Sequence, residues 1–140
     1  MVIRTTLLLA GAFAASLAAV AGAAGNSSLA NGKAIFLTGR DLHGKQMRAA
    51  RPPLRPSCAA CHRVNGAGGI HLPGGAVSAD LRHAALVTQM KPPYTLALLE
   101  RAISRGIDSD GKPLNRVMPH WQMSRGDLHD VAEYVFTALK

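Results

Sequence analysis

Two cysteines separated by two residues and followed at once by a histidine constrain this chain more than any other feature: Cys58-Ala59-Ala60-Cys61-His62. The chain contains no other cysteine. At this spacing two thiols can add to the two vinyl groups of one haem, and the adjoining imidazole can then reach the iron. The motif therefore predicts one covalently attached haem c, bound through Cys58 and Cys61, with His62 as an axial iron ligand.

Three other uses of a C-x-x-C pair agree less well with the sequence. A thioredoxin-like redox couple expects a βαβ context, and no alternating or β-branched run surrounds this motif. A structural zinc site needs four ligands at paired spacings, whereas the chain has a single C-x-x-C pair. A disulfide, the common state of cysteines in exported proteins, leaves His62 unexplained.

The N-terminal segment is typical of a secretory signal peptide. Arg4 precedes an apolar, alanine-rich run from Leu7 to Val20, and small residues at 21–23 resemble a cleavage site. The apolar run is shorter than the roughly 20 residues that a spanning helix needs. We expect residues 1–23 to be a signal peptide, and residues 24–140 to form one mature domain in the periplasm. An uncleaved N-terminal anchor is the alternative.

The charge of the chain indicates the chemistry of its partners. The formal net charge is +8, and the predicted leader contains only one of the cations, Arg4. A basic protein suits docking to acidic proteins or adsorption to an anionic membrane surface. No basic stripe is interleaved with aromatic residues, so nucleic acid is not an expected partner. The most basic stretch, Gly39 to Ser57 with Arg63 beyond it, predicts a docking rim beside the haem edge, or else a solvated loop.

A methionine in a stiff loop is the candidate for the second axial ligand. Met118 precedes Pro119, which fixes φ and lacks an N–H donor. We expect the Met118 thioether to bind iron on the side opposite His62, which favours the ferrous state and raises the reduction potential. A core-filling role is the alternative for Met118. Met123 and Met90 are rival ligands. Four histidines, His71, His83, His120 and His129, could also bind iron, but they are expected at the surface or behind the ligands.

The apolar periodicity predicts an all-α domain with long loops. The expected helices are Ser28–Thr38, a short segment near Leu81–Gln89, Tyr94–Arg105, and a last helix capped by Ser124. Gly32 and Phe36 share a face of the first helix, where we expect Tyr134 of the last helix to cross. The chain has only six aromatic residues, so a large apolar cofactor would complete a small core.

Together these segments resemble the class I c-type cytochrome family. The resemblance is carried by the Gly32/Phe36 helix, the Cys58–His62 motif, the glycine-rich stretch 66–75, the Met118-Pro119 loop and the Tyr134 helix. It implies the cytochrome c fold, with three to four short helices around one covalent haem. Residues 107–114 are similar to single-haem cytochromes that accompany periplasmic dehydrogenases.

One departure from that pattern concerns the axial histidine. The stretch ending Ala79-Asp80-Leu81-Arg82 is similar to the haem domains of quinohaem alcohol dehydrogenases, which usually have proline where this chain has Ala79. In that family a neighbouring carbonyl accepts the Nδ1–H of the axial histidine, and such a bond orients the imidazole. A carbonyl at this position can still serve, and Pro73 is the other candidate.

The resemblance also implies a function. We expect outer-sphere electron transfer without catalysis, by a monomer or a subunit of a redox complex whose partner has an acidic docking surface. Trp121 is expected near the ring or a propionate, or else in the plain core, and Arg82 is expected to pair with a propionate. The alternatives are a haem c subunit of a dehydrogenase or oxidase and, if Met118 does not ligate, an open-site haem enzyme or gas sensor.

Overall fold

Helices account for most of the regular structure in the computed structural model, which describes residues 17–140, with side chains from residue 25 onward. The elements are α1 (Leu17–Thr38), β1 (Arg48–Ala49), α2 (Ala59–His62), a 3₁₀ turn (Pro73–Gly75), a π-helical segment (Ala85–Gln89), α3 (Leu96–Arg105), β2 (Trp121–Gln122) and α4 (Arg125–Ala138). The predicted all-α class is confirmed. None of these helices is long and apolar enough to cross a membrane.

The first helix begins earlier than the sequence predicted. Helix α1 starts at Leu17, not at Ser28, because the alanine-rich stretch before Ser28 consists largely of good helix formers and has no proline. Ser28 therefore lies inside the helix, where its hydroxyl is within hydrogen-bond distance of two carboxylates, Asp130 at 2.6 Å and Glu133 at 2.8 Å, and can donate to one of them at a time. Residues 1–16 of the predicted signal peptide lie outside the described residues, and its cleavage stays a prediction.

Helices α1 and α4 cross at Gly32. A Cβ atom at this position would lie 2.0 Å from the Asp130 carbonyl oxygen and 2.8 Å from the Cβ of Tyr134, so only glycine allows this approach. The Phe36 and Tyr134 rings pack beside the crossing with centroids 5.6 Å apart. The predicted contact between the terminal helices is confirmed.

Local capping sets the ends of the other two long helices. The Thr95 hydroxyl accepts from the Leu98 amide at the start of α3, and Gly106 ends it with a left-handed φ of 66°. The Ser124 hydroxyl accepts from the Asp127 amide at 3.1 Å, as the predicted cap of α4 requires. The predicted segment near residue 89 is also present, as the π-helical turn.

A two-stranded antiparallel sheet, which the sequence did not predict, fixes the basic stretch to the rest of the domain. Arg48 pairs with Gln122 and Ala49 with Trp121. Met47, beside β1, is buried at 5% exposure. The stretch predicted as a loop is therefore partly ordered by pairing, and the two-residue strands are too short to produce an alternating pattern.

The end of the chain is also fixed in place. Leu139 is 4% exposed, and a Cβ on Gly66 would lie 2.7 Å from its Cδ1 atom. The Leu139 carbonyl accepts the His83 amide at 2.9 Å. The penultimate residue is therefore part of the packed structure.

Candidate haem site

A central cavity brings together the residues that the sequence singled out. Its volume, counting the open mouth, is about 1320 Å³. Both motif cysteines, His62, Met118 and Trp121 line this cavity. Arg82 does not line it. All but one of the predicted site residues therefore lie on the wall of one cavity.

The motif itself forms a single helical turn at the cavity wall. Cys58 precedes α2 in right-handed helical conformation, and its carbonyl accepts the His62 amide at 2.8 Å. This turn carries both sulfur atoms and the imidazole to one cavity. Ala59, between the cysteines, is buried, which agrees with the need for small side chains at this place.

His62 is oriented by a backbone carbonyl. Its Nδ1 lies 2.8 Å from the Ala79 oxygen, and since a carbonyl can only accept, the proton belongs on Nδ1. The other ring nitrogen is then left with its lone pair, the form that binds a metal. Burial lowers the pKa of His62, against the raising effect of this hydrogen bond, so the imidazole is neutral at pH 7. Ala79 thus provides the acceptor despite the absence of proline.

Gly68 makes the approach of these two segments possible. Its left-handed φ is 61°, and a Cβ there would lie 2.3 Å from the Ala79 oxygen and 2.5 Å from the Ser78 oxygen. The Gly68 amide also donates to the His62 carbonyl at 3.0 Å. The glycine-rich stretch therefore holds the histidine-accepting carbonyl close behind His62.

The two thiols show neither disulfide nor metal-site chemistry. Cys58 and Cys61 are not bonded to each other. Burial raises the pKa of Cys58 to about 12 and also raises that of Cys61, for which the nearby Arg55 cation acts in the opposite direction. Among the described residues, no group of three or more His, Cys, Asp or Glu side chains could hold a metal ion.

The Met118 loop reaches the same cavity from the segment between α3 and β2. The Met118 amide donates to the Asn115 carbonyl at 2.9 Å, and the Asn115 side chain accepts the Val117 amide at 3.1 Å. Pro119 lines the cavity beside Met118. Of the two rival methionines, Met90 lines the cavity and Met123 does not, and the four histidines weighed as ligands do not line it either.

Trp121 and Arg82 have different surroundings. Trp121 is 4% exposed and is held at the cavity by the pairing of β2 with β1. The Arg82 guanidinium donates to the Asp80 carboxylate from Nε, at 3.0 Å to Oδ1 and 3.1 Å to Oδ2, and from Nη2, at 2.6 Å to Oδ2. Its cation therefore already has a protein partner, and a role toward a propionate stays a prediction.

The rest of the cavity wall is mostly apolar and comes from the helices. Branched and small side chains of α3 and α4 and a leucine of the π-helical segment face it: Leu86, Leu99, Ala102, Ile103, Val131 and Val135. Such walls suit the faces of a porphyrin. Sequence reasoning missed the polar lining residues Tyr94, Asp108 and Asn115, whose positions depend on tertiary contacts.

Comparison with known families agrees with this site. A family model described as Cytochrome c matches residues 29–138, and no curated protein matches the chain. A helical domain with a C-x-x-C-H turn on the wall of an apolar cavity is the arrangement expected of a protein that binds haem covalently. The chain belongs to the cytochrome c family, and it is a class I c-type cytochrome. The cofactor is covalently attached haem c, used by the family for electron transfer.

Proposed function

We propose that this chain is a periplasmic electron-transfer protein that carries one electron on a haem c with His/Met axial ligation. Cys58 and Cys61 would hold the porphyrin through thioethers, and His62 and Met118 would be the iron ligands. When bound, haem c supplies reversible one-electron chemistry between ferric and ferrous iron. The single observation that carries the proposal is the presence of all four side chains on one cavity.

The chain's own residues support a carrier that binds no substrate at the metal. The Nδ1–H bond to Ala79 leaves Nε2 of His62 available as a ligand, and the Asn115 turn holds Met118 at the cavity. A thioether ligand raises the potential and fills the site where a substrate would bind. This arrangement favours an electron carrier over the open-site enzyme or gas sensor.

Charge at the cavity mouth supports docking to an acidic redox protein. Between Asp41 and Asp80 the sequence has no acidic residue, and its five lysines and arginines there are all exposed: Lys45, Arg48, Arg51, Arg55 and Arg63. Arg55 and the exposed Leu54 line the mouth. An exposed basic stretch that reaches the cavity at Arg55, beside an exposed leucine, suits a weak, salt-dependent encounter, by a free carrier or by a subunit of a dehydrogenase or oxidase complex.

Export is proposed from the sequence of the leader. Residues 1–23 have the charge, apolar run and small residues of a signal peptide. Proteins of this family are often exported, and haem c attachment in the periplasm would explain why the leader accompanies the C-x-x-C-H motif.

The test replaces the proposed thioether ligand. Met118→Ala should remove the weak far-red absorption band that reports thioether–iron ligation in the oxidised protein, lower the midpoint potential and allow the reduced protein to bind CO. Met123→Ala is the matched control, because Met123 does not line the cavity, and it should behave as wild type. A denaturing gel stained for haem establishes covalent attachment in each sample.

Two results would contradict the proposal. Colourless wild-type protein, exported and without gel-stained haem, would end it altogether. A far-red band retained in Met118→Ala and lost in Met90→Ala would transfer the ligand role to Met90, the other methionine on the cavity wall.

A further inference from the structure

A carboxylate without an ion-pair partner lies on the wall of the haem cavity. Two aspartates, Asp80 and Asp108, are among the lining residues. Asp80 is ion-paired with the Arg82 guanidinium, whose Nη2 lies 2.6 Å from its Oδ2. Among the described residues no lysine or arginine forms an ion pair with Asp108. The cavity wall therefore carries one acidic side chain that is ion-paired and one that is not.

Neutral groups hold the Asp108 carboxylate in place. The Tyr94 hydroxyl donates to its Oδ1 at 2.8 Å, and the Ser109 amide donates to the same oxygen. Tyr94 is 7% exposed and lines the cavity itself. Burial, followed by the hydrogen bond to Asp108, raises the pKa of Tyr94, so this donor stays protonated at neutral pH.

Contacts that do not involve the carboxylate also hold the turn that carries Asp108. Arg101 of α3 donates to the backbone carbonyl of Asp108, and the Ser109 hydroxyl donates to the Pro92 carbonyl at 2.8 Å. The Arg101 cation thus binds the backbone of the turn, and Nε of its guanidinium has no partner. The charge of Arg101 opposes that of Asp108, and substitutions of Asp108 or Tyr94 leave it unchanged.

We propose that Asp108 lowers the reduction potential of the haem, and that Tyr94 moderates this effect. Reduction removes one positive charge from the iron, so a fixed negative charge on the cavity wall stabilises the oxidised state. Such a charge acts more strongly beside an apolar cavity than in water. Asp108 would thus offset part of the rise in potential that the Met118 thioether gives. This inference rests on the proposed function, since it needs a bound haem.

The test measures midpoint potentials in redox titrations followed by the visible spectrum. Asp108→Asn keeps the shape of the side chain and removes its charge, and it should shift the potential upward. Asp110→Asn is the matched control. That carboxylate is on the same turn, exposed, paired with Lys112 at 2.6 Å, and not on the cavity wall. Solvent screening should make its shift distinctly smaller.

A second variant gives the opposite sign. Tyr94→Phe keeps an aromatic ring on the wall but removes the donor to Asp108, so the carboxylate charge is less neutralised and the potential should fall. If Asp108→Asn does not fold or loses the far-red thioether band, the midpoint potential of Tyr94→Phe tests the role of Asp108 instead.

Different results would contradict the role of Asp108 and the proposed function. A red, gel-stainable holoprotein whose potential moves no more in Asp108→Asn than in Asp110→Asn would overturn the role of Asp108 and leave the carrier proposal intact. An unchanged or raised potential in Tyr94→Phe would also contradict it. Protein without haem would fail the proposed function before any potential is measured.

Discussion

Ala79 contributes a backbone carbonyl to the haem site. Its carbonyl lies 2.8 Å from Nδ1 of His62, although related haem domains usually have proline there. Any residue can supply that oxygen, so the acceptor survives the exchange. What alanine lacks is the fixed φ of proline, which lowers the conformational entropy of the unfolded chain.

We therefore expect Ala79→Pro to stabilise the holoprotein by about 0.4–1 kcal/mol, with the His62 ligation unchanged. The Ala79 amide has no hydrogen-bond partner among the described groups, so no donor is lost. The measurement is thermal unfolding followed at the main haem absorption band.

Ser78→Pro is the control for that substitution. The Ser78 amide donates to the Ile70 carbonyl at 2.9 Å, and its loss should cost about 1–3 kcal/mol. If Ala79→Pro were destabilised as much as Ser78→Pro, the backbone at 79 would be incompatible with proline.

The residues of the site were predictable to different degrees. Cys58, Cys61 and His62 belong to one C-x-x-C-H motif, and haem attachment is the use that accounts for all three residues. Met118 could be selected because the following proline marks a stiff loop. Asp108 could not be found, because its place on the cavity wall depends on the Tyr94 hydroxyl, fourteen residues away in the sequence.

At the scale of elements, the crossing of α1 and α4 decides how the two ends of the chain fit together. Asn31 extends the contact by donating to Asp127 at 3.1 Å and to Asp130 at 2.8 Å. Gly32 permits it, since the Asp130 carbonyl occupies the space of a side chain. The crossing thus depends on the absence of a side chain at Gly32 and on several hydrogen bonds between the two helices.

Gly32→Ala should destabilise the protein by about 1–3 kcal/mol, because backbone atoms of α4 must move to admit the new methyl group. Its gain in helix propensity, up to about 1 kcal/mol, does not offset this. Chemical denaturation monitored by circular dichroism measures the change.

Gly126→Ala isolates the propensity effect. Gly126 is in the first turn of α4, and the nearest atom to an added Cβ is 3.9 Å away, so this variant should be equally stable or more stable. Equal stabilities for Gly32→Ala and wild type would show that the helices can separate at no cost.

Element boundaries could be predicted where side chains cap them. Ser124 and Gly106 are local signals, and α3 and α4 end or begin where these residues indicate. The start of α1 was wrong because an alanine-rich segment gives no stop signal. The pairing of β1 with β2 joins residues more than seventy positions apart, and no local pattern encodes it.

At the scale of the whole molecule, the core is built around the cofactor cavity. Helix α3 faces α4 across the same wall, and core residues such as Leu99 and Val131 are both buried and cavity-lining. Without a haem these apolar side chains would face water, which weakens a small domain in proportion to the exposed area.

The double variant Cys58→Ala/Cys61→Ala should therefore lack gel-stained haem, unfold at a distinctly lower temperature and be digested faster by protease. Cys61→Ala is the control, since its remaining thiol can still form one thioether. A haem-free double variant as stable as wild type would mean that the core does not depend on the cofactor.

The buried penultimate residue has a practical consequence for work with this protein. Because Leu139 is packed on Gly66 and accepts the His83 amide, trimming two residues from the C-terminus would remove an anchor near the haem-binding motif. Lys140 is exposed, so a fluorescent reporter attached to its side chain would leave this anchor in place.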